Sequence, residues 1–381
     1  MGKARFARLP SPLSNSCSLK RLFTSITLVG GCLLGYSCAD SSPSPQVPPP
    51  NVVLISIDTL APRMLGCYGF GRPTSPTIDN LARDGVLFEA AYAPSPWTLP
   101  SHASMLTGLY PKNHGLKSHR VSMPPEIVTW AECMWDRGFT TAAIVNAHNV
   151  GARYGLNHGF QHFEHVKKDI ARAAPTLVEE RTLAWLDSVP KTPFFLFLHF
   201  YDVHSDYASL PEYEEEFTTP YEGHIDGSTA QLLSFWKGEL TLGERDLEHL
   251  IDLYVAGIRQ IDDGIARIVR RLDRLGILDE TLIILCSDHG EEFLDHGSVL
   301  HGRTQFEEVL RVPLVIRGPG IPAGIRIPEP VSLVDLMPSV VSHLGFEMEI
   351  YSDGIDISSL WRERPRKEIR NRHIFGEADH N

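Results

Sequence analysis

Four short apolar segments of the chain are predicted to be buried strands. They are rich in β-branched or aromatic residues, and segments with helical patterning separate them. The four are NVVLISI (51–57), TTAAIV (140–145), FFLFLHF (194–200) and TLIILCS (281–287). Apolar runs without polar alternation are typical of parallel strands that are covered on both faces. The pattern therefore predicts an α/β fold with a largely parallel central sheet and helices on both faces.

Two other segments are predicted to form a long helix and a surface loop. Residues 247–275 repeat apolar side chains at helical spacing, with acids and arginines between them, which predicts one long amphipathic helix. Residues 205–239, with EYEEEF and scattered Gly, Pro and Tyr, are predicted to be an irregular, solvated excursion over the surface. The long helix is assigned no chemistry, and the alternative for residues 205–239 is a loop that shapes a substrate pocket.

The first 50 residues predict export. A short apolar run, LFTSITLVGGCLLGYSC, follows two basic residues and fits the central region of a secretory signal. Residues 1–38 are predicted to be a signal peptide or a lipoprotein leader, with Cys32 and Cys38 as alternative lipidated residues. The Pro- and Ser-rich residues 39–50 predict a linker, and residues 51–381 are predicted to form one domain. The protein is expected in the periplasm, in the medium, or on the outer face of a membrane through a lipid anchor alone.

Charge and cysteine content exclude several classes of protein. The chain of 381 residues has 35 basic and 47 acidic residues, and its first 38 residues hold five of the basic and none of the acidic ones. The remainder, with 30 basic against 47 acidic residues, carries a net charge of −17, which argues against a nucleic acid partner. Cys67, Cys133 and Cys286 are widely spaced, so we expect buried free thiols.

Polar residues follow each predicted strand. One aspartate after a strand is usually a cap or turn residue. Four polar strand ends together predict one site, because ligands of open parallel sheets bind beyond the carboxyl ends of the strands. The residues are Asp58, then Asn146 and His148, then His199, Asp202 and His204, then Asp288 and His289.

Asp58, Asp288 and His289 offer two carboxylates and one imidazole to a divalent cation. In SPWTLPSHASMLTG, Thr98 stands at a predicted helix start, which allows two interpretations. It is a helix cap, or it is a nucleophile that attacks an ester at phosphorus or sulfur beside the cation. In the second case the helix N-terminus would also attract an anionic substrate.

Four segments of the chain, between about Asn51 and Gly376, resemble the sulfatase family within the alkaline phosphatase superfamily. They are ISIDTL, CYGFGRPTSPTIDNLARDGVLFEAAYAPSPWTLPSHASMLTGLYPKNHG, GIRQIDDGIARIVRRLDRLGILDETLIILCSDHGEEFLDHG and RVPLVIRGPG. The resemblance implies a hydrolase for a small-molecule, glycan or lipid ester. It also implies one divalent cation, calcium, with manganese or zinc as alternatives because of the histidine. A small carboxyl-terminal subdomain of the family is expected to be missing.

The resemblance implies roles for individual residues. Asp58, Asp288 and His289 would bind the metal together with Thr98. His204 would protonate the leaving group or contact the anion. His148 and His301 are expected to be catalytic residues that hold the substrate anion, and Asn146 is expected to hold it as well. Ser101 and His102, on the helix that begins at Thr98, are expected to bind substrate. A second ion is an alternative for Asp202, His204, His296 and His301, whose histidines would otherwise bind an anion or form structural hydrogen bonds.

Three positions depart from the family pattern. Thr59 replaces a second metal-binding aspartate, and His102 replaces an arginine of the oxidation motif. Thr98 stands where active sulfatases carry the cysteine or serine that becomes formylglycine, an aldehyde that threonine cannot give. The chemistry thus favours phosphate or phosphonate esters, whereas the overall motif pattern favours sulfate esters. A transferase that uses Thr98 and a catalytically inactive, anion-binding relative are the alternatives to a hydrolase.

Overall fold

The computed structural model describes residues 48–166, 174–188, 193–362, 369 and 372–378. The predicted leader, with Cys32 and Cys38, and most of the linker lie outside the described residues. The strands are β1 Asn51–Ile57, β2 Val86–Tyr92, β3 Thr140–Val145, β4 His162–His165, β5 Phe194–Phe200, β6 Thr281–Cys286, β7 Glu292–Phe293, β8 Val299–Leu300, β9 Arg311–Arg317, β10 Ile325–Ile327 and β11 Val331–Ser332. The helices are α1 Pro76–Arg83, α2 Thr98–Thr107, α3 Pro111–His114, α4 Trp130–Asp136, α5 Ala174–Ser188, α6 Pro211–Phe217, α7 Thr229–Trp236, α8 Glu244–Arg274, α9 Glu307–Leu310, α10 Leu336–His343 and α11 Ser359–Arg362.

The central sheet has the strand order β10-β2-β9-β6-β1-β5-β3-β4, and β11 also pairs with β2. β1 lies in the middle and pairs in parallel with both β5 and β6. β9 runs antiparallel to β2 and to β6, and the other pairs of this sheet are parallel. The prediction of a largely parallel α/β sheet is therefore confirmed, and the four predicted strands form β1, β3, β5 and β6.

Alternate residues of the central strands face two separate apolar layers. Val52 and Leu54 of β1 pack into one layer with α2, α4 and α10. Val53 and Ile55 pack into the other layer with α1 and α8. Every residue of β1 is buried because helices cover both faces of the sheet, which explains the uninterrupted apolar sequence. The sheet is thereby a rigid support for the residues at its carboxyl edge.

The long helix predicted over 247–275 is α8, which begins three residues earlier and ends at Arg274. The prediction for residues 205–239 was wrong in part, because this segment contains α6 and α7. Leu232 of α7 is buried, and Phe217 of α6 packs into the same apolar layer. The sequence of α6, which includes EYEEEF, shows no apolar periodicity because most of the helix faces solvent.

The cysteines behave as predicted, since Cys133 and Cys286 are buried free thiols and Cys67 is a half-buried one. Among the described residues, no helix combines the length and the apolar character that a membrane crossing requires.

Candidate active site

The carboxyl ends of three adjacent strands create a buried polar centre. Because β5, β1 and β6 are parallel and in register, the residues that follow β1 and β6 emerge side by side. Leu60 N donates to Ser287 Oγ at 2.9 Å, and Ser287 Oγ donates to the carbonyl oxygen of His289 at 2.6 Å. These bonds join the turn after β1 to the turn after β6, and so bring Asp58 next to Asp288 and His289.

Asp58, Asp288 and His289 each offer one ligand atom, and the three atoms lie within 4.8 Å of one another. His289 Nε2 lies 3.5 Å from Asp58 Oδ1 and 3.3 Å from Asp288 Oδ2. The ring's Nδ1 is 3.1 Å from the Gly290 carbonyl oxygen, so Nδ1 carries the proton and Nε2 presents a lone pair to the two carboxylates. A lone pair facing carboxylate oxygens is the arrangement of a cation site.

The protonation of this centre fits the same interpretation. Both carboxylate oxygens of Asp58 and Oδ2 of Asp288 are buried without a hydrogen-bond partner. Burial raises the pKa of Asp58 to about 7, and burial together with the charge of Asp58 raises that of Asp288 to about 7. Burial lowers the pKa of His289 to about 4, which keeps the imidazole neutral and able to bind a metal. The side chains present thus fit one divalent cation.

Thr98 is the first residue of α2 and directs its hydroxyl into this centre. Its Oγ1 lies 3.4 Å from His289 Nε2, and its side chain is 3% exposed. The helix cap position belongs to Trp97, and no side chain caps the helix. The structure therefore does not support a capping role for the Thr98 hydroxyl.

Ser101 and His102 make their hydrogen bonds inside the protein. Ser101 Oγ donates to the Asp288 carbonyl oxygen at 2.6 Å. His102 Nδ1 lies 2.9 Å from the Thr98 carbonyl oxygen and 3.3 Å from Asp288 Oδ2. Its Nε2 lies 3.0 Å from Ser56 Oγ. Both residues, which were predicted to bind substrate, hold α2 against the strand ends and have no exposed surface.

His204 and His301 lie beside each other at the same end of the sheet. Their rings are 4.8 Å apart, and the His301 ring is 4.3 Å from that of His289. His204 Nδ1 is 2.6 Å from the Ser205 carbonyl oxygen, so the proton on Nδ1 is held there. His301 Nδ1 is 3.1 Å from Oε1 of the fully buried Glu291. Burial lowers the pKa of His301 to about 4, which makes it a neutral hydrogen-bonding group.

Asn146 and His148 follow β3, as predicted, but differ in burial. Asn146 Oδ1 accepts a hydrogen bond from Tyr201 N at 2.7 Å, whereas its buried Nδ2 has no hydrogen-bond partner. His148 is exposed, and its ring contacts that of Tyr154 at 5.8 Å. Asn146 therefore presents a free amide donor within the protein, and His148 is at the surface.

The second set of predicted ligands is not brought together as a group. Within the described part of the chain, two groups of three residues bring their potential metal-ligand atoms within 4.8 Å of one another. One is the Asp58 centre, and the other consists of Glu292, His296 and Glu308. His296 thus lies with two glutamates rather than with Asp202, His204 and His301.

Two residues of the centre, Ser56 and Glu291, were not predicted as site residues, and His199 was placed among the polar strand ends without a role of its own. His199 Nε2 lies 3.6 Å from Asp58 Oδ2, and burial lowers the pKa of His199 to about 4. Ser56 and Glu291 contact His102 and His301. Ser56 and His199 interrupt apolar strands with a polar residue close to the carboxyl end, and that interruption was the available signal.

The family model described as Sulfatase matches residues 50–346. An ulvan-active sulfatase from Formosa agariphila is 24% identical over 82% of this chain and 65% of its own length, so the chain spans somewhat less than two thirds of that relative. The solved structure of a protein in complex with its substrate D-glucosamine-2-N,6-O-disulfate superposes with a TM-score of 0.71 at 19% identity, over 84% of this chain and 82% of the other. The phosphonate monoester hydrolase of Agrobacterium radiobacter superposes with a TM-score of 0.70 at 21% identity, over 84% and 78%.

These structural likenesses agree with the observed fold, and the family model covers the strand ends that build the centre. The chain belongs to the sulfatase family of the alkaline phosphatase superfamily.

Proposed function

We propose that this protein is a cation-dependent hydrolase of a sulfate, phosphate or phosphonate ester and that Thr98 is its nucleophile. One observation carries the proposal. The same ring nitrogen, His289 Nε2, lies 3.4 Å from Thr98 Oγ1 and 3.3 and 3.5 Å from the carboxylates of Asp288 and Asp58. A hydroxyl oxygen placed in such a centre is in position to attack an ester that binds there.

Asp58, Asp288 and His289 would hold the cation, with Thr98 Oγ1 as a further oxygen ligand. When bound, the cation would lower the pKa of the hydroxyl and offset the charge of the substrate anion. Calcium is the choice that the resemblance implies, and the imidazole also suits manganese or zinc.

The proposed reaction has two steps. With the cation bound, the Thr98 hydroxyl would first release its proton to solvent. Thr98 Oγ1 then forms a bond to phosphorus or sulfur while the bond to the leaving oxygen breaks. His204 in its doubly protonated form, whose Nδ1–H stays on the Ser205 carbonyl oxygen, delivers its Nε2 proton to the leaving oxygen. Water then cleaves the Thr98 ester, which releases the anion and restores the hydroxyl. A threonine carbon that carries a methyl group cannot become an aldehyde, so release must follow this ester hydrolysis, a route that favours phosphorus over sulfur.

Other side chains would hold the substrate anion. The unpartnered Nδ2 of Asn146 is a suitable donor to an anionic oxygen. Burial raises the pKa of Glu291 to about 8, so a protonated Glu291 can donate to His301 Nδ1 and leave the Nε2–H of the neutral imidazole to donate to the anion. The exposed His148 would contact the substrate anion from the protein surface. Ser101 and His102 position Thr98 and Asp288 and do not touch the substrate.

The substrate is proposed to be a small-molecule or glycan ester, in line with the similarity to the ulvan-active sulfatase and to the phosphonate monoester hydrolase. We also propose export through residues 1–38. Labelling with a radioactive fatty acid in cells, with Cys32→Ser and Cys38→Ser as variants, would distinguish a lipid anchor from a cleaved signal.

The test uses purified protein loaded in turn with calcium, manganese and zinc. Turnover is measured on an aryl sulfate, a phosphate monoester, a phosphate diester and a phosphonate ester. Thr98→Ser keeps a hydroxyl and should keep turnover, whereas Thr98→Val removes it at nearly constant volume and should abolish turnover. Equal turnover by Thr98→Val and the unchanged protein would contradict the assignment of Thr98 as the nucleophile.

A catalytically inactive, anion-binding relative is the second candidate, and the near-complete burial of Thr98 favours it. It predicts sulfate or phosphate binding without turnover of any of the four substrates. The transferase alternative predicts product only after an acceptor alcohol is added.

A further inference from the structure

We propose that Glu292, His296 and Glu308 form a second cation site, separate from the Asp58 centre, which takes a zinc ion. Glu292 belongs to β7, His296 to the turn between β7 and β8, and Glu308 to α9. Their ligand atoms lie within 4.8 Å of one another although the residues span 17 positions of the chain. Neither the family resemblance nor the proposed reaction uses this trio.

Glu292 has a buried carboxylate oxygen that lacks a hydrogen-bond partner, as a metal ligand would in the absence of its ion. The residue is 1% exposed. Its Oε2 accepts a hydrogen bond from Thr304 Oγ1 at 2.8 Å, but its Oε1 is buried without a partner. A buried carboxylate oxygen without a donor is unfavourable unless a cation or a proton neutralises it. Thr304 fixes one oxygen of the carboxylate, as the outer contacts of metal ligands commonly do.

The charges around the trio are unbalanced. His296 Nδ1 pairs with Glu308 Oε1, so a single imidazolium at most faces two carboxylates. Arg63 is engaged with Asp295, the residue before His296, through two contacts of 2.7 Å. A divalent cation would replace the proton between His296 and Glu308 and would balance both glutamates.

The ligand types favour zinc over calcium or magnesium. Imidazole nitrogen and carboxylate oxygen are both zinc ligands in proteins, whereas the hard cations prefer oxygen ligands alone. Zinc-ligand distances of about 2.0–2.2 Å require ligand atoms roughly 3.3 Å apart. The exposed His296, whose ring stacks on Phe306 at 3.6 Å between centroids, can make this adjustment, while the buried Glu292 stays fixed.

An ion in this position would link α9 to the segment that follows His289 and contains Glu292 and His296. Gly290 N donates to the Val309 carbonyl oxygen at 2.7 Å, and a Cβ atom on Gly290 would lie 2.1 Å from the Glu308 carbonyl oxygen. The backbone after His289 is therefore already in close contact with the backbone of α9. The role of the second ion is to stabilise this contact and with it the positions of His289 and Glu291.

The experiment separates the two sites. Asp58→Asn combined with Asp288→Asn disables the first centre, and zinc is counted by elemental analysis after dialysis against zinc and then against buffer. We expect one equivalent in this background, its loss on adding His296→Ala, and about tenfold weaker binding on adding Thr304→Val. His162→Ala is the matched control, because His162 is exposed and pairs with one glutamate, Glu164, at 3.6 Å.

Two results would overturn the proposal: no zinc in the background protein, or the same zinc content with and without His296. If the double aspartate change prevents folding, as judged by near-ultraviolet circular dichroism, the comparison uses the otherwise unchanged chain. There His296→Ala must lower the zinc content by one equivalent and remove a zinc-dependent rise in Tm, which His162→Ala must retain. Failure of this site leaves the proposed hydrolase function untouched, because that function depends on Asp58 and Thr98.

Discussion

Nδ1 of His102 lies 3.3 Å from Oδ2 of Asp288, and both side chains are fully buried. The same nitrogen lies 2.9 Å from the carbonyl oxygen of Thr98, one turn earlier in α2. Since both neighbours are acceptors, Nδ1 carries the proton, and Nε2 accepts from Ser56 Oγ. His102 therefore connects the helix of the proposed nucleophile with a proposed metal ligand and with β1.

His102→Ala is expected to lower the free energy of unfolding by about 1–3 kcal/mol, because it leaves the buried Ser56 hydroxyl without its partner and removes the Nδ1 contacts with the Thr98 carbonyl oxygen and with Asp288. Urea unfolding followed by circular dichroism measures the change. His162→Ala, at an exposed position, should remain within about 0.5 kcal/mol of the unchanged protein. Equal stabilities of the two variants would show that the His102 contacts contribute nothing.

Cation binding should strengthen as the pH rises from 6 to 8. Burial raises the pKa of Asp58 and Asp288 to about 7, and both must release protons to bind a cation. Titration calorimetry in two buffers of different ionisation enthalpy should therefore show proton release at pH 6 that declines by pH 8.

The cation-free protein should show the opposite trend in stability. Carboxyl groups of the unfolded chain ionise near pH 4, so between about pH 4 and 7 the folded chain keeps protons that the unfolded chain has lost. These two groups then make stability fall as the pH rises. The difference in Tm between loaded and cation-free protein should widen from pH 6 to pH 8. A constant difference would contradict the assignment of both carboxylates.

The sequence placed much of the centre correctly because the rule for parallel sheets is geometric. Residues that follow β1 and β6 must meet when those strands are neighbours, and Asp58, Asp288 and His289 do meet. The sequence does not predict which other side chains contact Asp58, Asp288 and His289 in the folded protein. Ser56 lies inside the apolar strand β1, where a core position and a site position have the same sequence pattern.

Other features depended on contacts between distant segments. The strand direction of β9 follows from its partners β2 and β6, which no local pattern of RVPLVIR reveals. His296 was grouped with other histidines through the family resemblance, whereas the fold brings it to Glu308 of α9. Helix α9 is four residues long, too short for a periodic pattern.

Asn146→Asp tests the proposed anion contact. The substitution keeps an oxygen that accepts from Tyr201 N, and it replaces the unpartnered Nδ2 donor with a negatively charged oxygen. Loss of one hydrogen bond to a charged group, worth about 1.5–3 kcal/mol, corresponds to roughly a 10- to 150-fold increase in KM for an active substrate. Steady-state kinetics measure it, and Asn80→Asp adds the same charge at an exposed position of α1. Similar KM values for both variants would remove Asn146 from the anion site.

Thr59→Asp should strengthen calcium binding about tenfold, because it adds a carboxylate where other family members use one on the metal. Thr59 is buried, its N donates to Asp288 Oδ1 at 3.4 Å, and its own Oγ1 has no hydrogen-bond partner. Its φ of 59° is a left-handed conformation that strains a β-branched residue and that aspartate and asparagine adopt more readily. Thr59→Asn is therefore the control for backbone relief without charge, and calorimetry with calcium compares the three proteins. If Thr59→Asp and Thr59→Asn bind calcium equally, the side chain at position 59 does not face the cation, and the tighter binding expected from a second aspartate cannot arise there.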